Sequence, residues 1–326
     1  MKKFMLVLMV ALVGGISKSV AQSKLVATLT HGDDIRMFYG ANALSQAHYA
    51  AQSGDVITLS GGEFTGITIT KSVILRGTGF DATEPTIVQG TTLNITSSDT
   101  NHFSVEGIRF SSLSLSGSCV EPLFLKCYLG SVSTEEACHI KDALFVNCRV
   151  FFSMKQGYMS AKFSHCDISN FNIVSNLQLK VQFINSVVSG YSLSYFRNSS
   201  FINSILICSN SSSDALPAET VAMNCVVLTK SSYYTVFSKM QGSEISCYVL
   251  PYDNILQFFS NSGNRELSDE AKTTYLGTDG TEVGLYGGKY PYTTTPAYPR
   301  ITKLNVSKQT TPDGKLSVDI EVSAAE

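Results

Sequence analysis

Short apolar strands at a regular interval are the dominant pattern of this chain. Between residues 105 and 249 a hexapeptide recurs: Phe124-Leu-Lys-Cys127-Tyr-Leu129, Phe145-Val-Asn-Cys148-Arg-Val150, Phe163-Ser-His-Cys166-Asp-Ile168, Phe183-Ile-Asn-Ser186-Val-Val188, Phe201-Ile-Asn-Ser204-Ile-Leu206, Ala222-Met-Asn-Cys225-Val-Val227 and Glu244-Ile-Ser-Cys247-Tyr-Val249. The small anchor, Cys or Ser, falls at 127, 148, 166, 186, 204, 225 and 247, in steps of 18 to 22 residues. Val105-Glu-Gly107-Ile-Arg-Phe110 fits as an earlier member. Apolar residues stand two before and two after each anchor, Ser164 excepted, and a period of two is strand. The pattern predicts that both sets face inward, with the anchor between them. Repeats of this length, with strands and no helix between them, predict an all-β parallel β-helix. Its coils stack about 4.8 Å apart, so equivalent side chains form ladders. A leucine-rich repeat would need a Leu-x-x-Leu-x-Leu pattern, which is absent.

Three ladders follow from the spacing. Phe124, Phe145, Phe163, Phe183 and Phe201 form the first, and an inward stack is expected of it. Lys126, Asn147, His165, Asn185, Asn203, Asn224 and Ser246 form the second. Asn tolerates left-handed backbone, so this column is read as a bend between two strands. The third is the anchor column, with Cys127, Cys148, Cys166, Cys225 and Cys247. Ser replaces Cys freely there, which suits small buried packing thiols better than disulfides.

Both ends need covers. Residues 22–54 predict a hairpin turning at His31-Gly32-Asp33-Asp34, then a capping helix over 41–52 with Ala43, Leu44, Ala47, Ala50 and Ala51 on one face. The β-helix is expected over 55–292. The Gly- and Tyr-rich block 277–290 is expected to close the last coils. Residues 293–326 are read as a Thr/Pro linker and a hairpin around Pro312-Asp313-Gly314.

Residues 1–21 have the features of a cleaved secretory signal: Lys2 and Lys3, an apolar run from Phe4 to Val13, and Ser19-Val20-Ala21 before Gln22. No Cys follows the cleavage point, so a lipoprotein is not expected. The predicted localisation is secreted, periplasmic or outer cell surface, with no transmembrane segment in the mature chain. The net charge of −2 supplies no field to recruit nucleic acid.

The run Gly54-Asp-Val-Ile-Thr-Leu-Ser-Gly-Gly62 with Ile67-Thr-Ile-Thr-Lys-Ser-Val-Ile-Leu-Arg-Gly77, and the closing block Asp279-Gly-Thr-Glu-Val-Gly-Leu-Tyr-Gly-Gly288, resemble secreted pectin-lyase-like β-helix proteins of gut-type Gram-negative bacteria. The resemblance covers nearly the whole mature chain. It implies a right-handed, single-stranded parallel β-helix and export. It carries over no catalytic motif.

Candidate chemistry is sparse. Glu121 and Asp142 each stand six residues before an anchor, so adjacent coils bring them near each other. Such a pair is the candidate for retaining glycoside hydrolysis or for a cation site; the alternative is a solvated strand edge neutralised by Lys141 or Lys126. Arg149 and Asp167 each follow an anchor, which predicts an ion pair. The histidines show no shared offset, so no metal site and no cofactor are expected. Tyr233, Tyr234, Tyr248 and Tyr252 are candidates for stacking on sugars, against a role in cap packing. The leading expectation is non-catalytic binding of a polysaccharide or cell-surface glycan. A polysaccharide lyase or glycoside hydrolase acting on a uronate-containing polymer, and a structural surface module, are the alternatives.

Overall fold

The computed structural model describes residues 25–95, 102–134, 138–154, 157–173, 177–209, 214–240, 242–310 and 313–323. The expected signal segment lies outside them. The chain is a parallel β-solenoid with two long sheets. Sheet 1 takes the strand before each anchor and sheet 2 the strand after it. Phe124, Phe145, Phe163, Phe183 and Phe201 lie in register on sheet 1. Arg149, Asp167, Val187, Ile205, Val226 and Tyr248 lie in register on sheet 2.

The bend column explains the handover between sheets. Lys126, Asn147, His165, Asn185, Asn203, Asn224 and Ser246 all have φ between +47° and +55°. One left-handed residue per coil turns the chain from sheet 1 into sheet 2. Gly107, at φ +68°, extends the column toward the N-terminus. A side chain is strained there, and Asn is the residue that best tolerates it.

The bend also corrects the inward assignment. Residues two after the anchor, such as Leu129, Val150, Ile168 and Val188, are buried. Residues two before it, such as Leu125, Val146, Ile184 and Ile202, face outward and are half-buried. The left-handed residue interrupts the alternation, so the inward position on sheet 1 is the Phe three before the anchor. The five Phe rings stack face to face inside, with centroids 4.5 to 5.2 Å apart.

The anchors do more than fill space. Their N–H groups follow the bend and point along the solenoid axis, where no backbone carbonyl meets them. The next coil's anchor side chain does. Cys127 N–H donates to Cys148 Sγ at 3.5 Å and Cys148 N–H to Cys166 Sγ at 3.5 Å. Cys166 N–H donates to Ser186 Oγ at 3.1 Å and Ser186 N–H to Ser204 Oγ at 3.2 Å. The thiols and hydroxyls in turn donate to carbonyls, Cys148 to Phe124 O at 3.3 Å and Ser186 to Ile184 O at 2.8 Å. Burial pushes the Cys127 and Cys148 thiols well above the ordinary range, which keeps them protonated donors.

At the N-terminal end, β1 (Val26–His31) and β2 (Asp34–Tyr39) form the expected hairpin, with Gly32 at φ +55°. It pairs antiparallel with β3 (Val56–Leu59), so β2 is the outermost strand of sheet 1. Helix α1 (Ala43–Ala50) buries Ala43, Leu44, Ala47 and His48. The Lys71 ammonium closes its C-terminal end, donating to the carbonyls of His48, Tyr49 and Ala51 at 2.7 to 2.9 Å. Such a cation satisfies orphan carbonyls and opposes the helix dipole.

The last quarter of the chain departs from the expected closure. Residues 252–275 fold into short helices and a small hairpin that lie on the outer face of sheet 2. There Phe258, Phe259, Leu267 and Ala271 pack on the outward Val187, Ile205, Ile207, Val226 and Leu228. The block after Leu276 does not cap the last coil. It is a strap that runs back along the bend column toward the N-terminus. Asn224 Nδ2 donates to Leu276 O, Asn203 exchanges hydrogen bonds with Thr278, and His165 meets Gly287 O. Further on, Ala297 N–H donates to Glu106 Oε1, and Arg76 lies over the Tyr298 ring. Gly284, at φ +86°, lies so close that a Cβ would sit 2.6 Å from Ile205 Cδ1. The C-terminal hairpin, Arg300–Thr310 with Leu316–Ser323, follows directly.

Candidate functional site

The outer face of sheet 2 changes character along the solenoid. Its outward positions are Arg149 and Phe151, then Asp167 and Ser169, then Val187 and Ser189, then Ile205 and Ile207. The apolar half is covered by the 252–275 module. The polar half is only partly covered, and a cleft of about 460 Å³ opens at the boundary. Phe151, Ser169, Ser189 and Ile207 form its floor. Tyr191, Tyr252, Ile255 and Arg265 are also in its lining.

Arg265 is fixed by the turn that carries it. Asn261 Oδ1 accepts the N–H groups of Gly263 and Asn264 at 3.0 and 3.3 Å. The chain leaves that turn with Arg265 at φ +58°. Its Nε stands 3.4 Å from Asp167 Oδ1, and its Nη2 donates to Ser189 Oγ at 3.4 Å. The other oxygen of Asp167 faces Arg149 Nε at 3.4 Å, and Arg149 Nη2 donates to Gly263 O at 3.2 Å. Asp167 is 4% exposed. The Arg149–Asp167 pair predicted from the spacing is therefore present, but it is half of a bridged trio. Two guanidiniums share one buried carboxylate and tie the solenoid wall to the module.

The cleft lining offers aromatic rings, hydroxyls, the Asn170 amide and one guanidinium. No carboxylic acid, thiol or imidazole is among its lining residues. It is equipped to hold a ligand with both apolar faces and hydrogen-bonding groups.

The sequence-derived candidates fall elsewhere, with one exception. Tyr252 lines the cleft. Tyr248 packs edge-on against Tyr275, with centroids 5.0 Å apart. Tyr233 and Tyr234 sit on a short helix at the last coil, whose Val236 and Phe237 are buried, and Tyr234 is 86% exposed. Glu121 and Asp142 lie on sheet 1 rather than sheet 2. Both occupy a second left-handed bend column, at φ +51° and +53°. Their carboxylates are engaged with different neighbours. Glu121 Oε2 stands 3.4 Å from His102 Nε2, whereas Ser160 Oγ donates to Asp142 Oδ1 at 2.9 Å. His102, which shares no repeat offset, is thus the partner of Glu121, in place of Lys141 or Lys126.

A sequence signal for the cleft exists in the runs Val187-Val188, Ile205-Leu206-Ile207 and Val226-Val227-Leu228. Consecutive apolar residues in a strand mean that both faces are covered. The runs begin at Val187, one coil beyond the floor residue Ser169.

Among the described residues, no three His, Cys, Asp or Glu side chains gather to hold a metal ion, and no helix is long and apolar enough to cross a membrane. Comparison with protein-family models, with curated proteins and with solved structures finds no match.

Proposed function

We propose that this chain is an exported binding protein whose sheet 2 cleft holds a sugar unit of a polysaccharide or cell-surface glycan. The carrying observation is the lining itself. Tyr252, Tyr191 and Phe151 supply rings, Ser169 and Ser189 supply hydroxyls, and Arg265 supplies a positioned guanidinium. Sugars present apolar C–H faces to rings and hydroxyls to polar groups, which matches this mixture. Lys2, Lys3 and the apolar run after them support export. The resemblance to pectin-lyase-like proteins supports a carbohydrate context by analogy alone.

The test is a glycan array followed by calorimetric titration of the best oligosaccharide. Tyr252→Ala and Arg265→Ala should each weaken binding at least tenfold, while Tyr234→Ala should leave it unchanged. Equal binding by all four proteins would sink the reading. The enzymatic alternative, a lyase or hydrolase, predicts unsaturated product or new reducing ends from uronate polymers, with loss on Glu121→Gln.

A further inference from the structure

The anchor column ends in a pair of cysteines, and its last member is the accessible one. Cys127, Cys148, Cys166 and Cys225 are each followed by the anchor of the next coil, and all four are at 0% exposure. Cys247 is the last anchor. The strands on either side of it, Glu244–Ile245 and Tyr248–Pro251, are the end strands of sheets 1 and 2. It is 8% exposed.

The backbone sets Cys225 and Cys247 one directly over the other. Register pairs Met223 with Ile245 on sheet 1 and Val226 with Tyr248 on sheet 2. Asn224 N–H donates to Ile245 O at 2.8 Å, and Tyr248 N–H donates to Cys225 O at 2.9 Å, so the two coils are tied on both sides of the pair. A coil spacing of about 4.8 Å lies within the Cα separation that a disulfide spans, about 4.4–6.8 Å. The Cβ atoms of a disulfide stand about 3.8 Å apart, so closure draws the coils together by about 1 Å here. Interior pairs such as Cys148 and Cys166 have the same spacing but are held by coils on both sides. The last coil has a neighbouring coil on one side alone and can follow the bond.

Closure also leaves no carbonyl without a donor. As thiols, Cys225 donates to Met223 O at 3.2 Å and Cys247 to Ile245 O at 3.4 Å. Those carbonyls keep backbone donors, Asn203 N–H at 2.9 Å and Asn224 N–H at 2.8 Å. Both S–H groups can therefore be lost without the cost of an unpaired buried acceptor. The two sulfurs are also unequal. Contact with the Cys225 side chain holds the Cys247 thiol below its ordinary range, whereas burial pushes the Cys225 thiol well above it. The sulfur that solvent reaches is the one that ionises more readily, and the thiolate is the nucleophile.

We propose that Cys247 and Cys225 are a reversible redox pair that staples the last coil to the solenoid. The oxidant is an external disulfide, R–S–S–R. The Cys247 thiolate attacks one of its sulfurs, the S–S bond breaks, and the departing RS⁻ takes up the proton that Cys247 released. Cys225 then loses its proton and attacks the Cys247 sulfur of the mixed disulfide, and the second RS⁻ leaves with that proton. Two thiols are oxidised to one disulfide, and one external disulfide is reduced to two thiols. A thiol reductant that reaches Cys247 reverses the same steps. The interior anchors remain packing thiols.

The test incubates the folded full chain with oxidised glutathione and then counts thiols in denaturant. The count of eight should fall by two, with a mass loss of two hydrogens, and a proteolytic map should join the Cys225 and Cys247 peptides. Dithiothreitol should restore all eight thiols. Cys225→Ser, with the residue that the column already carries at 186 and 204, should trap one glutathione on Cys247. Cys247→Ser should keep all of its remaining thiols. The wild-type map decides the pair without either variant. Eight thiols after oxidation, a bond joining any other pair, or an equal loss of thiols in Cys247→Ser overturns the proposal.

Discussion

Replacing Cys148 by alanine tests whether the anchor column is a hydrogen-bond ladder or only a packing column. The side chain has two roles in the structure. Its sulfur accepts the Cys127 N–H at 3.5 Å, and its S–H donates to Phe124 O at 3.3 Å. Both Cys127 and Cys148 are fully buried, so no water replaces the lost acceptor. An orphaned buried N–H costs about 1–3 kcal/mol, and a sulfur acceptor is a weak one, so about 1 kcal/mol is assigned here. The vacated sulfur volume adds about 1 kcal/mol more, as in other large-to-small core changes. Cys148→Ala should therefore lose about 2 kcal/mol. Cys148→Ser keeps an acceptor, as Ser186 and Ser204 do in their coils, and should lose under about 1 kcal/mol. Cys148→Val restores the volume without an acceptor and should be no better than alanine. Urea unfolding followed by circular dichroism, in reducing buffer, measures all three. Hydrogen exchange at the Cys127 amide gives a local readout, fast in the alanine and valine variants and slow in serine. A valine variant as stable as wild type, with serine the worst, would refute the ladder and leave packing alone.

Asp167→Leu should destabilise the chain by about 3 kcal/mol, because two guanidiniums lose the one buried carboxylate between them. Limited proteolysis should then cut first within 252–275, the module that Arg149 and Arg265 hold to the wall. Asn203→Gly keeps the left-handed bend but loses both bonds to Thr278, whereas Asn203→Ala loses the bend preference as well. Alanine should cost about 1 kcal/mol more than glycine by thermal unfolding. Burial, and then the Lys71 ammonium, hold the His48 imidazole below its ordinary value, and its Nε2 accepts the Thr70 N–H at 3.3 Å. The unfolded chain takes up that proton first, so this stability is complete above about pH 6.5 and falls as pH drops below it. His48→Gln should flatten the stability profile below about pH 6.5, the free imidazole value; an unchanged slope would contradict the assignment.

How far these features could be read in advance depended on whether they repeat. The Phe ladder, the bend column and the anchors recur once per coil, and a period exposes them. The inward assignment of Leu125 and Val146 failed because alternation was extended through Lys126 and Asn147, where the left-handed residue shifts the phase. Glu121 and Asp142 share an offset from their anchors because both are bend residues, and an offset does not distinguish a bend from a site. The cleft was not legible because it joins parts distant in sequence. Asp167 and Arg265 are 98 residues apart and belong to no shared repeat. Only Tyr252 was singled out, on its residue type.

The strap shows why the bend column has the chemistry it has. A left-handed bend could be made by glycine at every coil, as Gly107 does, and glycine would be less strained. Glycine would give the strap nothing to bind. Asn203 contributes its amide to Thr278, Asn224 donates to Leu276 O, and His165 donates through Nε2 to Gly287 O while Nδ1 accepts from Ser164. Where the strap instead passes with Pro296, the bend residue is Gly107, and a Cβ there would meet Pro296 Cγ at 2.8 Å. The column is thus chosen twice, once by the local backbone and once by the segment that crosses it. The same strap reaches Tyr298, whose ring lies against the Arg76 guanidinium on sheet 1. A polar bend residue in one coil therefore helps to set the path that the strap takes along the solenoid.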